Sequence, residues 1–193
     1  FERSRDGVRT TAAEEPATQA PAATLRPRQL PAAVRHFAGR TAELTALPEL
    51  VKGTEESGGT GVVAVIHGTA GVGKSALAVH WAHRAAEWFP EGQLYVNLRG
   101  FAPSGPPVAA EEALCAFLEA LGVPAQLIPA QVDAQATMYR SMLADRRMLV
   151  VLDNARDADQ VRPLLPGSQH CLVLITSRSQ LSSLVAVQGA YPI

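Results

Sequence analysis

The chain has 193 residues, 47% of them hydrophobic and 18% charged, with a formal net charge of −1. That length carries one domain with its own core plus a tail, and a near-neutral balance without a basic stripe argues against this segment gripping nucleic acid itself. No apolar run approaches the roughly 20 residues needed to span a bilayer, and no secretory signal is visible.

Residues 1–33 mix Pro16, Pro21, Pro27 and Pro31 with Ala, Thr and charged residues and show no apolar period, so they read as a flexible linker. Order is expected from about Val34. Leu44, Leu47 and Val51 recur at helical spacing over residues 41–52, with Thr41 as candidate N-cap. A glycine-rich turn leads into a buried strand, Val62 to Ile66, and then the run Gly68-Thr69-Ala70-Gly71-Val72-Gly73-Lys74-Ser75. The next helix carries Leu77, Trp81, Ala85 and Trp88 on one stripe and stops at Pro90. A second strand is expected at Leu94–Leu98, followed by a Pro- and Gly-rich loop over residues 100–107. Leu114, Phe117, Leu118 and Leu121 mark a helix that Gly122 and Pro124 end, and Val132, Ala136, Tyr139 and Leu143 mark another. Met148–Leu152 and Cys171–Ile175 read as strands, with a short helix between them capped by Asp157. Tyr191 begins a fifth strand. Strands apolar on both faces and alternating with helices predict an α/β three-layer sandwich with a mainly parallel sheet, and the Gly68–Ser75 run between its first strand and helix makes it a P-loop NTPase fold.

Cys115 and Cys171 sit in separate apolar patterns and read as buried core thiols, which fits a reducing cytoplasm. His80 and His83 lack a carboxylate partner at zinc-site spacing and read as packing or surface residues. The chain opens on Phe1 rather than Met, which reads as a piece of a longer protein.

The run from Gly68 to Ser75 is a complete phosphate-binding loop, and its context supports the pattern. A strand delivers it, and the following helix, which continues through Ala76, points its free N–H groups at an anion. Glycines keep side chains out of the wrap around the phosphates. Lys74, which with Lys52 makes up the chain's two lysines, supplies a cation to the β- and γ-phosphates, and Ser75 offers a hydroxyl to Mg²⁺. Asp153, at the end of the third strand, lies on the same sheet edge and is the second candidate Mg²⁺ residue. Its separation from the loop suits a sheet with an extra strand between the two. Asn154 follows where vigorous ATPases carry an acid; an amide orients water but is a poor base, so hydrolysis is expected to be slow. Arg178, after the fourth strand, is a candidate sensor of the γ-phosphate.

These pieces together resemble the nucleotide-binding core of the NB-ARC branch of STAND ATPases, in the version found in large actinobacterial regulators of the AfsR/SARP type. The matching runs are Phe37-Ala38-Gly39-Arg40 with Glu43, the phosphate loop, Leu94 to Gly100, Leu149 to Ala155, and Leu174 to Arg178, covering about residues 30–193. The resemblance implies that residues 34–193 form the nucleotide-binding domain and that Phe37, Ala38 and Arg40 contact the adenine or close its pocket. It implies a switch between an ADP-bound resting state and an ATP-bound active state, with slow ATP hydrolysis. It also implies a DNA-binding domain and a helical activation domain upstream, helical domains downstream, and leaves room for oligomerisation in the ATP state. Two other readings remain at the level of sequence: a free-standing P-loop phosphotransferase such as a small-molecule kinase, and a module that holds nucleotide for structure alone.

Overall fold

A computed structural model of the chain describes residues 25–35, 37–46, 61–102, 105–184 and 191–193. Helix α1 is described over residues 41–46. Strand β1 (Val62–His67) feeds the phosphate loop and helix α2 (Lys74–Ala85), and a 3₁₀ turn at Ala86–Trp88 leads to β2 (Gln93–Asn97). Helices α3 (Ala110–Ala120) and α4 (Val132–Leu143) precede β3 (Leu149–Ala155). The short α5 (Ala158–Val161), β4 (Leu172–Ser177) and β5 (Tyr191–Pro192) complete the described elements.

The strands form one parallel sheet in the order β2-β3-β4-β1-β5. β4 therefore lies between β1 and β3, while β2, the strand that separates the loop from Asp153 in the chain, lies at the edge of the sheet. Alternate residues of each strand face opposite layers. Val62, Ala64, Ile66, Val151 and Leu174 pack with Leu77, Trp81 and Ala85 of α2. Val63, Val65, Val150, Leu152 and Ile175 pack on the other face with Leu114, Phe117 and Leu118 of α3 and Tyr139 and Leu143 of α4. A run that is apolar at every position is thus buried on both sides, which is why β1, β3 and β4 carry no period-2 alternation.

Several expected boundaries shift. β3 runs through Asp153 to Ala155, and β4 runs through Thr176 and Ser177. Between Leu152↔Ile175 and Ala155↔Ser177, β3 spends one residue more than β4, a bulge at which Asn154 takes φ 56°. Trp88 is 40% exposed, because the helix tightens into the 3₁₀ turn and carries it off the buried stripe. Thr41 is the first helical residue rather than the cap: Leu44 N–H donates to the Arg40 carbonyl at 3.0 Å, and Arg40 itself has φ 59°. The rest of the expected helix, residues 47–52, falls outside the described residues. Asp157 does cap α5, accepting from the Gln160 N–H at 2.9 Å. Cys171 is buried, but Cys115 is only half-buried, its sulfur accepting from Gln135 Nε2 at 3.2 Å.

The largest correction concerns the stretch assigned to a flexible linker. Residues 25–33 are part of the fold, whereas residues 1–24 lie outside the described residues. Arg28 bridges Gln93 in parallel, Gln93 N–H donates to the Pro27 carbonyl at 2.7 Å, and Gln29 N–H donates to the Gln93 carbonyl at 3.0 Å. The segment covers the outer edge of β2, supplying partners that a sheet edge otherwise lacks. Its prolines sit at an edge, where a missing N–H is tolerated, so they misled a composition-based reading. Gly92 makes the close approach possible: its φ is +131°, and a Cβ there would meet the Pro27 carbonyl oxygen at 2.6 Å.

Gly92→Ala is expected to displace the 25–31 segment and destabilise the chain by about 1–3 kcal/mol, the scale of a strained backbone conformation. Urea unfolding of the variant against the parent chain measures it; an unchanged midpoint would mean that the segment contributes nothing to the fold.

Candidate functional site

The phosphate loop closes on α2 through Gly73, whose φ of 87° places it in the left-handed region as the helix N-cap, and Leu77 N–H donates to its carbonyl at 2.9 Å. No side chain caps this helix and no acid sits in its first turn. Its leading N–H groups and its positive dipole end therefore remain open to an anion. Lys74 Nζ donates to the carbonyls of Gly68 and Thr69, at 2.8 and 2.7 Å, so the ammonium lies inside the curve of the loop.

Two arginines join it. Arg40 Nη2 donates to the Val72 carbonyl at 2.7 Å, and its Nη1 pairs with Glu43 at 2.7 Å, a contact that holds the Glu43 carboxyl below its ordinary range. Arg178 donates to the Phe101 carbonyl at 3.3 Å and lies 5.1 Å from the Phe101 ring centre. The Lys74 ammonium is held below the usual lysine range, first by burial and then by the positive charge of Arg178, with Arg40 adding to it and Asp153 opposing. Cationic side chains from three chain segments thus converge where the helix dipole also favours an anion.

Asp153 is 4% exposed and sits beneath this loop. Its Oδ1 accepts from Ser75 Oγ at 2.6 Å and from Thr176 Oγ1 at 2.5 Å, and its Oδ2 accepts from the Tyr95 hydroxyl at 3.2 Å. The bulge in β3 is tied to the same cluster, since Asn154 N–H donates to Thr176 Oγ1 at 2.8 Å. Bulges of this kind commonly re-aim a side chain beside a site. The loop after β2 is pinned nearby: Leu98 N–H donates to the Asp153 carbonyl and Gly100 N–H to that of Asn154, at 2.8 and 2.7 Å. Buried Gln160 donates to the Leu98 and Val108 carbonyls, at 3.1 and 2.7 Å, and fixes the base of that loop.

The donor set suits Mg²⁺, which takes oxygen ligands and keeps waters and substrate phosphates in its shell. Ser75 Oγ and Asp153 Oδ1 are hard oxygens already brought side by side, and among the described residues no group of three or more His, Cys, Asp or Glu forms an all-protein metal cage.

The structure therefore gathers Gly68, Thr69, Ala70, Gly71, Val72, Gly73, Lys74, Ser75, Ala76, Asp153 and Arg178 at the carboxyl edge of the sheet. Arg40 joins them at the loop tip. Phe37 lies farther along α2, its ring stacked on His80 with centroids 4.5 Å apart; Ala38 connects the two and is exposed. Sequence reasoning left His80 as a packing or surface residue, and its ring stacks on an aromatic of the expected adenine segment. Tyr95 and Thr176 were missed as site residues. Both stood in quoted runs, but only their places in β4 and β2 aim their hydroxyls at Asp153. A separate cavity of about 570 Å³, lined by Arg26, Arg28, His83 and Glu87 among others, lies at the far, C-terminal end of α2 and is not part of this site.

Over 165 residues the chain is 49% identical to the regulatory protein AfsR of Streptomyces coelicolor, a match covering 84% of the chain and 16% of that relative. AfsR of Streptomyces griseus is 48% identical over 161 residues, covering 83% of the chain and again 16% of the relative. The chain thus spans about one sixth of the length of these relatives. No family model matches it. Among solved structures, Cdc6p of Pyrobaculum aerophilum aligns with a TM-score of 0.60 at 17% identity, covering 84% of this chain and 46% of that one. The ORC2 protein of Aeropyrum pernix, determined as ADPNP and ADP complexes, aligns with a TM-score of 0.55 at 19% identity, covering 84% and 49%. At such identities these likenesses speak to the fold, an α/β P-loop architecture.

The depressed Lys74 pKa sets a proton linkage. A bound phosphate raises that pKa again, so at alkaline pH binding takes up protons and weakens as pH climbs through the Lys74 value in the free chain. Titrating ATP, whose phosphates are ionised well above their second pKa of about 6, in two buffers of different ionisation enthalpy reads this uptake. It should vanish in Lys74→Met; persistence would assign it to another group.

Proposed function

The chain is homologous to a segment of the AfsR regulatory proteins and has an AfsR-like P-loop ATPase core, and from that premise we propose that it is the ATP/ADP switch domain of a multidomain bacterial transcriptional regulator, of the NB-ARC type. One observation carries the reading. An uncapped helix N-terminus and the cations Lys74, Arg40 and Arg178 face a Ser75–Asp153 oxygen pair, which is the pairing of charges that a Mg²⁺–nucleotide needs.

In this reading Lys74 leaves the loop carbonyls for the β- and γ-phosphates. Ser75 and Asp153 hold Mg²⁺, Asp153 directly or through water. Held there by Ser75 and Asp153, Mg²⁺ would supply positive charge that neutralises the phosphates. Arg178 is the γ-phosphate sensor, released from Phe101 when that phosphate arrives. Phe37, Ala38 and Arg40 close the adenine end. Turnover is slow at most. Asn154 replaces an acid, and its backbone is committed to the bulge by the contacts with Thr176 and Gly100, so the position supplies no strong base for water. A slow ATPase with a stable nucleotide state suits a switch better than a metabolic phosphotransferase.

The partners proposed are adenine nucleotide and the other domains of the same parent protein, a DNA-binding domain upstream and helical domains downstream, with oligomerisation in the ATP state. This segment itself touches neither nucleic acid nor membrane, and a cytoplasmic location follows from the regulatory role. Among the described residues no helix is long and apolar enough to cross a membrane.

Calorimetric titration of ATP, ADP and GTP, each with Mg²⁺ and with EDTA, tests the proposal. Adenine nucleotides should bind at about micromolar or tighter, well ahead of GTP, and Lys74→Ala should weaken them by at least tenfold, the scale of a lost charge-assisted contact. Equal affinity in Lys74→Ala would remove the phosphate-loop assignment, and ADP release dependent on a small acceptor would favour the phosphotransferase. Asp153→Asn should weaken binding in Mg²⁺ more than in EDTA; equal losses would remove its metal role.

A further inference from the structure

Asp153 uses its two carboxylate oxygens differently. Oδ1 meets the hydroxyls of Ser75 and Thr176, which belong to the helix after the phosphate loop and to the neighbouring strand β4. Oδ2 is held from the opposite side by Tyr95. Register explains how Tyr95 reaches it. Tyr95 pairs with Val151 and Asn97 pairs with Asp153, so Tyr95 and Asp153 are diagonal neighbours on the face that packs against α2. With strands about 4.8 Å apart and about 3.3 Å of rise per residue, such diagonals lie about 8 Å apart at the backbone. A long side chain ending in a hydroxyl spans that gap, and Ser, Thr or Asn does not.

The phenol is kept in its donor form. A tyrosine hydroxyl, with an ordinary pKa of about 10, carries its proton at neutral pH, and here it donates to Asp153 Oδ2. Its backbone is fixed on both sides as well. β3 pairs it along one edge, and on the other edge Tyr95 N–H donates to Gln29 Oε1 at 3.3 Å. Tyr95 thus touches Gln29 through its backbone and Asp153 through its hydroxyl.

We propose that Tyr95 is a positioning residue of the Mg²⁺–nucleotide site, its hydroxyl holding Asp153 Oδ2 so that Oδ1 stays turned toward Ser75. The inference rests on the assignment of Ser75 and Asp153 to Mg²⁺. Without the phenol hydroxyl, Oδ2 loses its partner and the carboxylate rotates more freely about its χ2, so the metal-facing oxygen is less well placed. Among the described residues the hydrogen bond of the Tyr95 hydroxyl goes to Asp153 and not to Lys74, so the Lys74 contacts to the phosphates are expected to persist.

The test is Tyr95→Phe in the 193-residue chain, alone and combined with Asp153→Asn. ATP affinity is measured with Mg²⁺ and with EDTA, and urea unfolding is measured without nucleotide. Tyr95→Phe should reduce the Mg²⁺-dependent gain in affinity about three- to tenfold, the scale of one hydrogen bond, and leave affinity in EDTA unchanged. In the Asp153→Asn background it should have no further effect on that gain. The unfolding midpoints of the two single variants and the double should be non-additive, which reports the contact without any ligand. Equal losses in Mg²⁺ and EDTA would make Tyr95 a packing residue and overturn the inference. An Mg²⁺ gain that Tyr95→Phe leaves intact while Asp153→Asn abolishes it would overturn the inference alone. A gain that neither variant touches would overturn the metal assignment and the inference together. Additive midpoints would remove the contact itself.

Discussion

The site is organised around a buried carboxylate that must be satisfied. Asp153 is almost wholly withdrawn from water, and a carboxylate in that position is costly unless hydrogen bonds surround it. Three hydroxyls supply them, from α2, β4 and β2. Each donor fixes a different element relative to β3. Ser75 ties the start of α2 and hence the phosphate loop, Thr176 ties the central strand β4, and Tyr95 ties β2. The sheet order β2-β3-β4-β1 is what brings these donors within reach, so topology and the charge at the site depend on one another.

The bulge follows from the same demand. An extra residue in β3 frees the Asn154 N–H from the ladder, and the Thr176 hydroxyl takes it up while donating to Asp153. One side chain therefore repairs the backbone and orients the carboxylate. The left-handed conformation of Asn154 is tolerated because asparagine accepts positive φ more readily than most residues.

The cationic side of the site is held with less rigidity. Arg178 rests on Phe101, in a loop whose base is stapled by Gln160 and the Asp153 and Asn154 carbonyls. Arg40 rests on a loop carbonyl and on Glu43, both exposed. These are weak, solvent-screened contacts, and an incoming anion competes with them easily. In the proposed switch, a well-bonded acidic floor beneath exposed cations would let the site register which phosphate is present.

The sequence by itself determined the phosphate loop, the alternation of strands and helices, the parallel sheet, and the placement of Lys74, Ser75, Asp153 and Arg178 at one edge. Those features are local: a strand–glycine loop–helix pattern carries its geometry in consecutive residues, and apolar runs report burial on both faces. Tertiary structure alone decided the rest. The linker boundary moved because residues 27–29 form partners with β2, a long-range pairing that proline-rich composition conceals. Thr41 lost the cap role because Arg40 adopts the left-handed turn before it. Tyr95 and Thr176 reached Asp153 only through strand register, and a shift of one residue would turn either side chain to the other layer. Contacts set by register between strands that lie far apart in the chain leave no mark in any short stretch of sequence.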